Sequence, residues 1–217
     1  MWFNVAQNSI FTRASGAWGE SAPGKAFVRD GGSWKKITSL WVRNSGLWEN
    51  VWHLFVGRIH PDSDIDTSGW TSTPLFEKLD EVTPDDASTE ITSGTVSSVC
   101  LSNTVHDFEV GLSNPTLTPT GGEEVTLKIR AWLHEVSGVV IIKDLRVQLK
   151  EGANVRATLN TVLSLSYTTE SLVLSQAEKD SITDWDNLSV NVRTTLCMEN
   201  PGGSAHSHVT WIELDFS

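Results

Sequence analysis

Asp62-x-Asp64-x-Asp66 sets three carboxylates at alternate positions, and oxygens so placed suit a hard cation such as Ca²⁺. The loop departs from an EF-hand, with Thr67 where the sharp-turn Gly belongs and Thr73 where the bidentate Glu belongs. Asp85 and Asp86 complete such a site only if the fold brings them near. The competing reading, a solvated acidic linker with Asp turns, is favoured by the polar run that continues to Gly69. His206-x-His208 puts two imidazoles on one face at strand spacing, a beginning for transition-metal ligation. With no third ligand evident, the pair reads as an exposed polar face. Cys100 and Cys197 match no metal spacing and lie in apolar alternating stretches, which points to buried free thiols. A disulfide requires their strands to be neighbours.

Patterns for covalent catalysis are missing. The chain has no Gly-x-Ser-x-Gly elbow, no His-Glu-x-x-His and no phosphate-cradling Gly loop, and neither Cys has a basic neighbour. Acidic pairs such as Asp80-Glu81 and Asp184/Asp186 suit turns better than glycoside hydrolysis. The chain reads as non-enzymatic.

The elements that must carry these groups begin with a repeat. Thr12-Arg13-Ala14-Ser15-Gly16-Ala17-Trp18, Val28-Arg29-Asp30-Gly31-Gly32-Ser33-Trp34 and Val42-Arg43-Asn44-Ser45-Gly46-Leu47-Trp48 write one phrase three times. Arg, a turn triplet ending in Gly, a spacer and Trp is hairpin chemistry, Gly16, Gly32 and Gly46 supplying positive φ at the turn. Arms this short do not fold alone. Because Trp18, Trp34 and Trp48 recur beside each turn, they read with Trp41 and Trp52 as packing between hairpins or subunits. Sugar stacking is the rival use of so many rings.

Past residue 58 the text changes to longer alternating segments: 125–133, 141–150, 188–196 and 208–216, with shorter ones at 95–101, 106–112, 154–163 and 167–174. Period two with one wet face marks half-buried antiparallel strands. In the second segment Ile141, Leu145, Val147 and Leu149 form the apolar row, broken by Lys143. About eight such strands predict a two-sheet sandwich of the jelly-roll type. Ser175-Gln176-Ala177-Glu178 reads as a capping box opening one short helix. The expected fold is therefore all-β, a hairpin-repeat arm over 1–58 and an antiparallel jelly-roll-like sandwich over 59–217.

Composition divides at the same place. Of ten Trp, six fall within the first 52 residues. Residues 1–60 hold seven Lys/Arg and three Asp/Glu, whereas 61–217 hold nine and 24, and the whole chain nets −11. So acidic a body disfavours nucleic acid. No run of 18 apolar residues predicts a membrane span, and the opening Met-Trp-Phe-Asn-Val-Ala-Gln-Asn lacks the marks of a secretory signal.

The Val-Arg-x-x-Gly-x-Trp-x-x-Val/Ile phrase resembles short Trp-Gly repeats of tailed-bacteriophage structural proteins. The remainder resembles a β-sandwich module of phage virion proteins. It does so through Gly69-Trp70-Thr71, Leu79-Asp80-Glu81, Pro84-Asp85-Asp86, Ile91-Thr92-Ser93, strand 125–133, Leu174–Glu178 with Ile182-Thr183-Asp184, and Val209–Glu213. The resemblance implies a virion component, a tail fibre or minor tail protein, with capsid decoration or a head fibre as the alternative. It supplies no catalytic residues. The expected partners are other virion proteins and copies of the chain itself, as a homotrimer, and a host-surface glycan. A carbohydrate-binding module is the competing class. No cofactor is expected beyond the Ca²⁺ candidate.

Overall fold

The computed structural model describes the backbone of residues 10–14, 17–21, 27–30, 33–36, 39–44 and 47–53. It describes backbone and side chains of residues 57–71, 73–84, 86, 89–97, 100, 103–115, 119, 123–199 and 202–217. The chain divides into two compact units, Met1–Gly57 with Thr116–Glu124 and Phe216–Ser217, and Arg58–Pro115 with Val125–Asp215.

In the first unit the repeated phrase is three antiparallel hairpins, each a sheet of its own. They are β1 (Ile10–Ala14) with β2 (Ala17–Ser21), β3 (Phe27–Asp30) with β4 (Ser33–Lys36), and β5 (Ser39–Asn44) with β6 (Leu47–His53). Register repeats with sequence: Arg13 pairs with Trp18, Arg29 with Trp34 and Arg43 with Trp48. The next pairs are Ala14 with Ala17, Asp30 with Ser33 and Asn44 with Leu47. Gly16, Gly32 and Gly46, and the side chains of Trp18, Trp34, Trp41, Trp48 and Trp52, lie outside the described residues.

The second unit is an antiparallel β-sandwich. Its strands are β7 (Gly57–Ile59), β8 (Pro61–Asp66), β9 (Ile91–Thr92), β10 (Thr104–Leu112), β11 (Val125–Ser137), β12 (Val140–Glu151), β13 (Asn154–Val162), β14 (Thr168–Val173), β15 (Leu188–Met198) and β16 (Ser204–Phe216). One sheet runs β13-β12-β15-β10-β8, the other β14-β11-β16-β7 with β9 on β16. Every connection from β7 onward crosses between sheets except the β12–β13 hairpin, which is the jelly-roll manner of winding.

Alternation decides which side chains face inward. Leu127, Ile129, Ala131 and Leu133 of β11 are buried with Leu145, Val147 and Leu149 of β12, Val190, Val192 and Leu196 of β15, and Phe108 and Val110 of β10. Full burial of such a side chain contributes about 1.5–3 kcal/mol relative to exposure. Trp70 meets Phe108 edge-on at 4.8 Å and closes one end of this core. The predicted capping box forms at the single α-helix among the described residues, α1 (Gln176–Ser181): Ser175 Oγ accepts from Glu178 N, and Ser175 N donates to the Glu178 carboxylate at 2.7 Å.

Three expectations are corrected. Residues 62–66, read as linker, belong to β8, a sheet-edge strand held by backbone pairing with β10, so polar side chains do not disqualify it. Ile141 is not in the apolar row. The β12–β15 register shifts between Val140 and Ile142, a bulge that turns Val140 inward and leaves Ile141 57% exposed. Over 95–101 the described residues show only a Val96–Ala205 bridge, while the short strand β9 lies just upstream.

Candidate functional site

Period two along β11 sends Lys128, Arg130, Trp132 and His134 to the outer face of their sheet. Neighbouring β16 supplies His206, His208, Glu213 and Asp215 to meet them. The described residues between 75 and 90 run against the same sheet, tied down by Ile212 N to Leu79 O (3.2 Å) and Trp211 Nε1 to Glu81 O (2.7 Å). This segment delivers Asp86 and Glu90.

Three groups result. At one end Lys128 Nζ donates to Asp215 (2.7 Å) and to the fully buried Glu213 (3.1 Å), while Arg58 and His60 stand 3.5 and 3.8 Å from the other Glu213 oxygen. Burial pulls the Lys128 pKa down, but its hydrogen bonds to Asp215 and Glu213, with their charges, outweigh it and the pKa is raised. In the middle, Arg130 grips both carboxylate oxygens of Asp86 and lies over the Tyr167 ring at 5.7 Å.

The third group is aromatic and imidazole. Trp132 stacks with His208 (4.7 Å between centroids) and His134 (5.3 Å) and leans on Tyr167 (4.9 Å). His134 Nδ1 and His206 Nε2 are 3.1 Å apart. The rings of His206 and His208 lie 4.7 Å apart. One ligand atom from each of His134, His206 and His208 falls within 4.8 Å of the others, the one such His/Cys/Asp/Glu grouping among the described residues. Glu90 Oε2 gathers this group: Tyr167 Oη donates to it at 3.0 Å, Trp132 Nε1 lies at 3.4 Å and His208 Nδ1 at 2.9 Å. His208 Nε2 is buried with no hydrogen-bond partner among the described residues.

Burial favours the neutral form of His206 and His208. Burial lowers the His208 and His206 pKa values, and the neighbouring histidines push the same way against the pull of Glu90. Burial and the Glu90 carboxylate push the Tyr167 phenol up to about 12. Neutral nitrogens with available lone pairs are the donors that late transition ions prefer.

The groups singled out in the sequence fare differently. Asp62, Asp64 and Asp66 do not converge. Asp64 accepts from Leu75 N and Phe76 N, both at 2.9 Å, Asp66 from Ser68 N and Asp62 from Ser63 Oγ. Asp86 turns to Arg130 instead, and Asp85 lies outside the described residues. Asp184 accepts from Asp186 N in a turn. Cys100 and Cys197 are not free: they form a disulfide, their Cα atoms 5.0 Å apart, because the chain enters β10 beside β15. Among the sandwich tryptophans Trp70 and Trp211 are buried (6% and 5% exposed), whereas Trp132 and Trp185 stay partly open. His134 and Glu90 were missed. Trp132-x-His134 and His206-x-His208 carry the signal, but only strand order shows that they adjoin.

No protein-family model and no curated protein matches the chain. Among solved structures it is similar to SGBP-B from a complex xyloglucan utilization locus in Bacteroides uniformis, at 16% identity and TM-score 0.35, covering 82% of this chain. The match spans 55% of that SGBP-B chain. TmCBM61, solved with beta-1,4-galactotriose, overlaps at 12% identity and TM-score 0.27 over 70% of this chain and 90% of its own. A cyclase from Fischerella sp. TAU does so at 13% and 0.30, over 73% and 88%. Overlaps this loose assign no ligand to the chain.

Proposed function

We propose that the chain is a non-enzymatic structural protein of a tailed-phage virion. The hairpin region, residues 1–58, attaches it, and the acidic sandwich, residues 59–217, projects as a tail-fibre or minor tail component. The observation that supports this most is the shared register of the three hairpins, Arg13 with Trp18, Arg29 with Trp34 and Arg43 with Trp48. A phrase that recurs as one structural unit is a repeat module, and two-stranded units of four to seven residues per strand need a further surface to lean on. Sister chains in a homotrimer, or a virion protein, supply that surface and cover the strand edges. The Cys100–Cys197 disulfide favours a protein that works outside reducing cytosol, as virion surfaces do. Capsid decoration or a head fibre uses the same layout at another place on the particle.

Deleting residues 1–58 tests the reading. The truncated chain is expected to remain folded by circular dichroism and to vanish from purified particles by immunoblot. Normal incorporation of the truncated chain would overturn the attachment role.

A second reading, glycan binding, is favoured by one feature: Trp132, partly open, sits among Tyr167, Arg130 and Asp86, a ring for stacking beside groups for hydroxyls. The groove on the opposite sheet, lined by Asp144, Arg146, Asn160, Val162 and Thr195 among others, offers no aromatic ring. A glycan array probed with wild type and Trp132→Ala decides it. Signals that Trp132→Ala abolishes support binding there, and signals that it leaves unchanged exclude Trp132.

A further inference from the structure

We propose that His134, His206 and His208 form a binding site for a divalent late transition ion, Zn²⁺ being the ion this donor set suits best. The site is independent of where the protein sits on a particle. Its three imidazoles come from two adjacent strands, β11 and β16, so the sheet itself fixes their spacing. His134 Nδ1 and His206 Nε2, 3.1 Å apart, are already near the separation of two nitrogens on one tetrahedral ion, about 3.4 Å for bonds of about 2.1 Å. The third nitrogen lies within 4.8 Å of both, so a shift of at most about 1.4 Å brings it to the separation of a tetrahedral ion's donors.

Two independent observations point to a ligand. His208 is 95% buried, yet its Nε2 has no hydrogen-bond partner among the described residues. A buried polar atom left so carries a desolvation cost that an ion would remove. Glu90 meanwhile holds His208 Nδ1 at 2.9 Å, the carboxylate–imidazole pairing that fixes a tautomer and leaves the lone pair on the far nitrogen. Trp132, stacked on His134 and His208, limits how those rings can turn. Three histidines leave the fourth position of a tetrahedral ion to water.

The test uses the full chain, stripped with chelator and dialysed. Zn²⁺ titrated by calorimetry is expected to bind at one equivalent, and Co²⁺ to give the visible band of a tetrahedral nitrogen site. His134→Ala and His206→Ala should each weaken Zn²⁺ binding by more than about 100-fold, and Glu90→Gln by about 10- to 100-fold. His208 is left intact because it is buried. A measurement needing no variant guards against misfolding: in imidazole NMR spectra of wild type, Zn²⁺ should shift His134, His206 and His208 and spare His53, His60 and His106. Absence of binding at micromolar Zn²⁺, shifts confined to the other histidines, or a His134→Ala/His206→Ala double variant binding as wild type does would each overturn the site.

Discussion

A carboxylate taken out of water needs donors around it, and Glu151 and Glu213 find theirs differently. Glu151, 7% exposed, accepts from Thr183 Oγ1 (2.6 Å), Thr183 N (3.1 Å) and Arg156 Nε (2.8 Å). The Thr183 hydroxyl chiefly, with Arg156 helping and burial opposing, holds its carboxyl below the usual carboxylate range. A lowered folded pKa stabilises the fold above the unfolded value of about 4.3, and that stability is lost as pH falls through the folded value. Glu151→Gln should cost about 1–3 kcal/mol at pH 7 and flatten the fall in Tm between about pH 5 and 3, read by calorimetry across pH. An unchanged acid limb would show that Glu151 contributes none of it. Glu213 relies on charge: Lys128→Met strands a fully buried carboxylate with only Arg58 and His60 at 3.5 and 3.8 Å. The expected loss is about 3 kcal/mol by urea denaturation, the low end for a stranded buried charge. A loss below about 1 kcal/mol would mean Arg58 suffices. Neither carboxylate stands out in sequence, since each partner lies on a different segment. The histidine group was half legible for the same reason: period two puts Trp132 with His134 and His206 with His208, but nothing local says that β11 and β16 are neighbours.

Elements were legible where a local rule governs them. The capping box marks α1 because its two hydrogen bonds close within four residues, and the alternation of 125–133 and 188–196 survives as β11 and β15 because each has one wet face. Local rules fail at β8, whose edge position satisfies its backbone without apolar side chains, and at Ile141, where one extra residue reverses inward and outward. Loop closure near β10 rests on two glycines. Gly69 takes φ +80°, and a Cβ there would come within 2.9 Å of His106 Nδ1; a Cβ on Gly94 would meet His106 Cε1 at the same distance. These glycines thus make a slot for the His106 ring. Gly69→Ala combines backbone strain with the clash and should destabilise by about 2 kcal/mol, whereas Gly94→Ala, which only displaces the ring, should cost about 1 kcal/mol. Urea midpoints rank the pair, and the reverse order would show that the ring, not the backbone, limits this turn.

For the whole molecule, fold class was legible because an antiparallel sandwich announces itself by many short alternating strands, each readable alone. The cross-sheet pairing that builds the outer-face groups was not, since it depends on contacts between distant segments. The cysteines illustrate the difference: each sits beside a stretch that reads as strand, yet whether they meet depends on β10 lying against β15. Their bond closes a span of 97 residues, and in the chain-entropy account a loop that long removes about 4–5 kcal/mol of freedom from the unfolded chain, with about 2–4 kcal/mol typical in practice. Paired replacement, Cys100→Ala with Cys197→Ala, should therefore lower Tm by roughly 4–16 °C, given about 2–4 °C per kcal/mol at this chain length. A reductant should reproduce that drop in wild type and leave the double variant unmoved, because only the crosslink is sensitive to it. If reductant moves both proteins equally, the stabilisation lies elsewhere. If it moves neither, the two strands of the β10–β15 pair hold their ends together without the bond.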